Sequence, residues 1–218
     1  IKKKIGMTYR KVRPKNHKSS DEKKEAFKTN LPKVVEKLEE QYGIKPRLFF
    51  MDEHRMGLQP ILRKQWLFPE QKFQEIHIGY KWLWVYGFVQ PNIGENHHYL
   101  FANLNTSCFQ SSLKEFAKDA NISKENPVLL VLDGAGAHRA KSLKLPEGMH
   151  FHFLPPYSPE LQLAERLCPV INECIANKCI KTFDEMFEKV MARCKWMMEE
   201  GTEKVKALTN YHWLPEMT

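Results

Sequence analysis

Two short apolar runs, each ending in an aspartate, constrain this chain more than any other feature: Arg47-Leu-Phe-Phe-Met-Asp52 and Val128-Leu-Leu-Val-Leu-Asp133. Runs of this length and composition predict strands buried on both faces, as in a sheet covered by helices. A carboxylate where such a strand leaves the sheet loses several kcal/mol of hydration unless a cation or hydrogen bonds offset it. A third acid lies in Leu154-Pro-Pro-Tyr-Ser-Pro-Glu-Leu-Gln-Leu-Ala-Glu165. Ser158 stands there as a helix N-cap and Pro159 as the first helical residue, which predicts Glu165 on the second turn of a helix. Two strand-end acids and one helical acid can converge on one point, and hard oxygen ligands of this kind suit a two-magnesium phosphoryl-transfer site.

The rest of the chain supplies a sheet for those strands. From Ser20 to Gly43 the residues Ala26, Phe27, Leu31, Val34, Val35, Leu38 and Tyr42 follow helical spacing, with Pro32 expected to break or kink the helix. A meander follows: the strand ending at Asp52, a second over 63–68, a third over 80–89, then a turn through Pro91 to Gly94 into 98–104. An amphipathic helix over 109–120 leads to the strand ending at Asp133, a crossover that permits parallel pairing with the first strand. A short strand over 150–154 and helices from 159 to 208, broken at Gly201, complete the pattern. The expected fold is α/β, a ribonuclease H-like mixed sheet flanked by helices. Tyr80, Trp82, Trp84, Tyr86 and Phe88 alternate along one strand face, which reads as sheet packing rather than a base-stacking platform.

The formal charge of +8 is not spread evenly: residues 1–24 hold ten Lys or Arg against Asp21 and Glu22, while the remainder carries equal numbers of basic and acidic side chains. A concentrated basic arm reads as a contact to a phosphate backbone, the alternative being a solvated linker. The five cysteines form no CxxC pair, which points to a reducing compartment, and no zinc-finger spacing is present. No apolar run is of membrane-spanning length, so no membrane partner is expected. The chain starts at Ile1 within the pattern of a helix ending at Gly6, as a fragment or processed product would.

Taken together, Met51-Asp-Glu-His-Arg-Met-Gly57, Val131-Leu-Asp-Gly-Ala-Gly-Ala-His138 and Leu154 to Arg166 resemble the three catalytic blocks of mariner-superfamily transposases, most closely the bacterial insertion-sequence branch. Gly6 to Pro14 is similar to the end of that family's N-terminal DNA-binding region. The resemblance implies a DDE (Asp-Asp-Glu) transposase that cuts DNA at the inverted repeats of its element and joins the freed ends to a target. Asp52, Asp133 and Glu165 would be the catalytic residues and the ligands of two Mg2+ ions, for which Mn2+ would substitute. Residues 1–20 would be the tail of a helix-turn-helix or winged-helix DNA-binding domain and its basic linker, and residues 21–218 the catalytic domain.

Double-stranded DNA is the implied partner, bound by a homodimer, in the nucleoid-bearing cytoplasm of a bacterium or the nucleus of a eukaryote. Arg10, Lys11, Arg13, Lys15, Arg63 and His138 are the candidate DNA contacts, His138 alternatively being a turn histidine. Glu53 should point to the opposite side of its strand from Asp52. Glu160 competes with Glu165 as the third acid; the two are about 140° apart on a helix, and Glu160 would serve equally well as a first-turn acid. The family usually carries Asn and Pro at the positions of Gln162 and Leu163, Asn at that of Gly134 and Trp at that of Cys168. Pro169, four residues beyond Glu165, is expected to kink the helix at the catalytic acid. These departures leave open a decayed, DNA-binding remnant, and the fold leaves open a ribonuclease H-like nuclease. Deleting residues 1–18 removes eight cationic side chains. DNA affinity should then fall and its dependence on salt flatten in a titration series; an unchanged slope would make the arm a linker.

Overall fold

The computed structural model describes residues 16–68, 70 and 75–215. The helix expected to end at Gly6, the arm from Met7 to Pro14, and Arg10, Lys11, Arg13 and Lys15 lie outside the described residues. Helix α1 (Asp21–Tyr42) starts where Ser20 accepts a hydrogen bond from the Lys23 amide and ends at Gly43, whose left-handed backbone (φ 69°) returns its N–H to the Glu39 carbonyl. It runs unbroken through Pro32. Phe27, Leu31, Val35 and Leu38 bury one stripe against the sheet, and this packing holds the helix across the missing N–H.

The sheet has five strands in the order β3-β2-β1-β4-β5. They are β1 (Arg47–Gly57), β2 (Trp82–Val89), β3 (Asn96–Phe101), β4 (Val128–Leu132) and β5 (Met149–Phe153). The first three form an antiparallel meander, whereas β4 lies parallel to both β1 and β5. Helix α2 (Thr106–Asp119), capped by Asn105 on the Cys108 amide, is the crossover that returns the chain to the far side of β1.

The strand expected over 63–68 is absent. Instead β1 itself extends to Gly57, and β2 pairs with it along that extension. The described residues between β1 and β2 form an open connection that exposes Leu62, Trp66, Phe68, Ile78 and Tyr80.

Strand alternation sends neighbouring residues of β1 into two different cores. Phe49 and Met51 pack with Tyr86, Phe88 and the α2 residues Phe109, Leu113 and Phe116. Leu48 and Phe50 pack on the other face beneath α1, α4 (Phe183–Glu199) and α5 (Thr202–Thr209). The aromatic row expected over 80–88 thus divides: Tyr86 and Phe88 are buried in β2, whereas Tyr80 precedes the strand and is solvated. Asn96 bonds the Met197 carbonyl of α4, and at Gly94 (φ 78°) a Cβ would run into the Thr202 carbonyl of α5. Gly43 is also left-handed but has open space around it. Gly43→Ala should therefore cost about 1 kcal/mol of backbone strain, and Gly94→Ala at least about 2 kcal/mol because the helix must also move; urea unfolding measures both.

Candidate active site

The register of β1 and β4 pairs Phe50 with Val131. Asp52 and Asp133 each stand two residues further on, so the pleat puts both at one end and on one face of the sheet. The third acid arrives differently from expectation. Ser158 makes no side-chain cap, and the segment is not one helix: a 3-10 turn (Pro159–Leu161) stops at Gln162, whose backbone is extended (φ −81°, ψ 100°). A second 3-10 turn (Ala164–Leu167) carries Glu165 before α3 (Cys168–Asn172) begins.

The break has a cause. The buried Gln162 side chain turns inward, donating to the Met51 carbonyl at 2.8 Å and accepting from the Ala164 amide at 3.2 Å. Pro169 consequently occupies the first turn of α3, where a missing N–H costs nothing, and the Glu165 carbonyl accepts from the Cys168 amide. The kink expected at Glu165 does not occur.

Asp52, Asp133 and Glu165 line one cleft of about 490 Å³, walled by the Leu154–Pro159 stretch and by Arg139. Glu160 is not among its walls and is ion-paired with Lys24 of α1. Arg63 is exposed and outside the cleft, its guanidinium bonded to the Pro169 carbonyl at 2.9 Å.

His138, a candidate DNA contact in the sequence, is instead buried, its side chain 1% exposed. It follows Asp133 by one 3-10 turn (Gly136–Arg139) and packs on the Phe109 ring, with centroids 4.4 Å apart. Its Nδ1 lies 2.8 Å from Asp133 Oδ1 and its Nε2 2.7 Å from Glu53 Oε1. Glu53, pointing away from Asp52 across β1, is thereby the far anchor of a Glu53–His138–Asp133 chain. Burial opposes a charge on His138, but the hydrogen bonds to Asp133 and Glu53 outweigh it and raise the imidazole to about 10. Asp133 in turn is held below the usual carboxylate range, first by the His138 hydrogen bond, with further help from the Ala135 amide.

Asp52 has only a backbone hydrogen bond at Glu53, which is outweighed. Burial, then the like charges of Glu165, Glu53 and Asp133, push it up to about 8. Glu165 is also raised, mainly by burial. Neighbouring Cys168 is pushed up to about 12 by burial and by Asp52 and Glu165, and so stays a thiol. Hard oxygen donors crowded together, one of them buried among like charges, suit a hard divalent cation. Among the described residues, however, no three His, Cys, Asp or Glu side chains are drawn into a closed ligand cluster.

Sequence reasoning missed Gln162 as the residue that shapes the third segment, and it missed Arg139 altogether. The available signal for Arg139 was a glycine directly after the second aspartate, which leaves side-chain space that another residue must fill.

A family model described as DDE superfamily endonuclease matches residues 47–187. The uncharacterized protein y4pE/y4sA of Sinorhizobium fredii (strain NBRC 101917 / NGR234) is 28% identical over 106 residues, covering 48% of this chain and 77% of that protein. The crystal structure of the Mos1 strand transfer complex is similar with a TM-score of 0.57 at 14% identity, covering 96% of this chain and 68% of that one. The Mos1 mariner paired-end complexes crystallised with Mn and with Mg give TM-scores of 0.57 and 0.53, at 14% and 15% identity, each over 96% of this chain and 69% of the other. At such identities the likeness is one of fold, and the fold is ribonuclease H-like.

The shifts fix the sign of the pH response. Asp52, raised from 3.8 to about 8, and His138, raised from 6.5 to about 10, both bind protons more tightly when folded. Their stabilisation is present below the unfolded values and is lost as pH rises through the folded ones. Asp133 acts oppositely, but only as pH falls below its ordinary carboxylate value. In chelator, the melting temperature should therefore drop between about pH 6 and about pH 9. Asp52→Asn should melt above wild type at the alkaline end; equal melting there would mean that Asp52 is not strained by its neighbours.

Proposed function

Because the chain belongs to the DDE superfamily endonuclease family, we propose that it is a metal-dependent DNA transposase, cutting strands at the inverted repeats of an element and joining the freed 3′-hydroxyls to target DNA. The observation that carries this reading is that Asp52, Asp133 and Glu165, delivered by three separate elements, share the walls of one cleft. These three acids would hold two Mg2+ ions, or Mn2+ in their place. Such ions supply Lewis-acid polarisation of a phosphate and a water activated near neutral pH.

The chain's own groups prepare for that role. His138 and the Ala135 amide keep Asp133 ionised and aimed. Asp52, protonated up to about pH 8 in the absence of a cation, would release its proton as the site fills. Arg139 and the Leu154–Pro159 wall would bound the space for a DNA strand. Tyr157, in the left-handed region at φ 58°, marks a constrained turn in that wall.

Double-stranded DNA and a homodimer are the partners this reading takes, since joining two ends needs two copies. The similar structures are of a Mos1 strand transfer complex and a Mos1 transposase paired-end complex with a left transposon end, which supports it. Residues 21–218 would be the catalytic domain, and residues 1–20 the end of a DNA-binding domain. The alternative, a decayed remnant that only binds DNA, rests on the departures at Gln162, Leu163 and Cys168; Pro169, in the first turn of α3, adds little to it.

Plasmid cleavage in Mg2+ and Mn2+, followed by a strand-joining assay and by calorimetric metal titration, tests the proposal. Asp52→Asn, Asp133→Asn and Glu165→Gln should each abolish cutting. Glu160→Gln should retain it, because Glu160 is engaged by Lys24 outside the cleft. Cutting that survives Glu165→Gln would remove Glu165 from the site. Cutting without any joining would favour a nuclease, and neither cutting nor carboxylate-dependent metal binding would overturn the enzyme.

A further inference from the structure

Arg139 is the only cationic side chain among the described residues that line the acidic cleft. It ends the 3-10 turn that follows Asp133, and two features fix where its guanidinium lies. The group stacks over the Phe153 ring of β5, 4.7 Å from the centroid. It also fills the space beside Gly134: a Cβ on that glycine would stand 2.7 Å from Nη2, 3.1 Å from Nε and 3.2 Å from Cζ. The ring lies beneath the fork, and the missing side chain leaves it room alongside.

Its donors are nevertheless unspent. Among the described residues Arg139 makes no ion pair, although Asp133 is close enough to feel its charge. Had it served only to neutralise the acids, it would bridge to one of them. A pre-placed planar fork with free N–H groups, exposed at the mouth of the cleft, matches the two non-bridging oxygens of a phosphodiester.

We propose that Arg139 is a phosphate-binding residue that seats the DNA backbone in the cleft beside the three acids, and that Gly134 is its structural counterpart, keeping clear the space the guanidinium occupies. The proposal rests on the transposase reading and deepens it, by stating how the substrate is registered against Asp52, Asp133 and Glu165. It also gives the departure at Gly134 a reason, since any side chain there would displace the arginine.

The test uses the full chain and a short fluorescent DNA duplex, with calcium ions present to screen the acids. Affinity is read by anisotropy over a series of salt concentrations, and thermal melts confirm folding. Arg139→Ala should weaken binding about tenfold, as expected for loss of one charge-assisted bidentate contact, and should lower the salt slope by about one. Arg139→Lys should keep the slope yet lose much of the affinity, because an ammonium has the charge without the fork. Gly134→Asn should reproduce the loss of Arg139→Ala, and the double variant should be no worse than either single one.

Unchanged affinity and slope in Arg139→Ala, or additive losses in the double variant, would overturn the proposal while leaving the transposase reading intact if wild type still cuts DNA. Failure of wild type to bind the duplex at all would overturn both.

Discussion

The parallel pairing of β1 with β4 is the constraint on which the site depends. Four residues on each strand set the register, from Arg47 against Val128 to Phe50 against Val131. A slip of one residue would turn one aspartate to the opposite face and leave a lone acid in each core. The register is secured at the end of the strands away from the acids. There Arg47 donates to the Ala120 carbonyl after α2, pairs with Glu95 before β3, and has its own amide bonded to Pro127. The crossover, the meander and the central strand thus meet at one arginine.

On that frame, similar acids acquire different characters. Asp52 and Glu53 are adjacent in the chain but face opposite cores, so they could have been electrically independent. His138 links the two sides, because it lies at the sheet end where it reaches Asp133 and the back of β1 together. Its hydrogen bonds go to Glu53 and Asp133 and not to Asp52. One aspartate is therefore ready as an anion while the other resists ionisation, a division of the kind that sites handling protons and cations exploit. Exposure follows the same division: Asp52 is half-buried, whereas Asp133 is exposed.

Much of this was legible in the sequence wherever the determinant is local. The limits of α1 follow from Ser20 and Gly43, and α2 follows from its apolar stripe. The cores of β1 and β4 follow from uninterrupted apolar runs, and their parallel pairing from the helix between them, but β1 does not leave the sheet at Asp52: it runs on to Gly57, paired with β2. What escaped is what partners decide. The segment over 63–68 has strand-like residues but stays outside the sheet, largely exposed. The Ser158-Pro159 pair has the grammar of a long helix, yet a side chain bonding 111 residues away stops it after one turn. His138 resembles a solvent-facing turn residue until Glu53 and Phe109, distant in sequence, are found on either side of it.

The bond from Gln162 to the Met51 carbonyl has a further consequence for how such a chain can change over time. Glu165 is positioned from β1, by an amide that holds the residue just before Asp52, and not by measuring out from Asp133. Between the second and third acids the chain passes through the irregular stretch 140–148, largely exposed and free of strand or helix. Away from Lys144, bonded to Gln110, and Gly148, bonded to Val128, a change of length there need not move either end of the site. The 31-residue separation in this chain is accordingly a property of its loops, and length alone is a poor gauge of whether the acids meet.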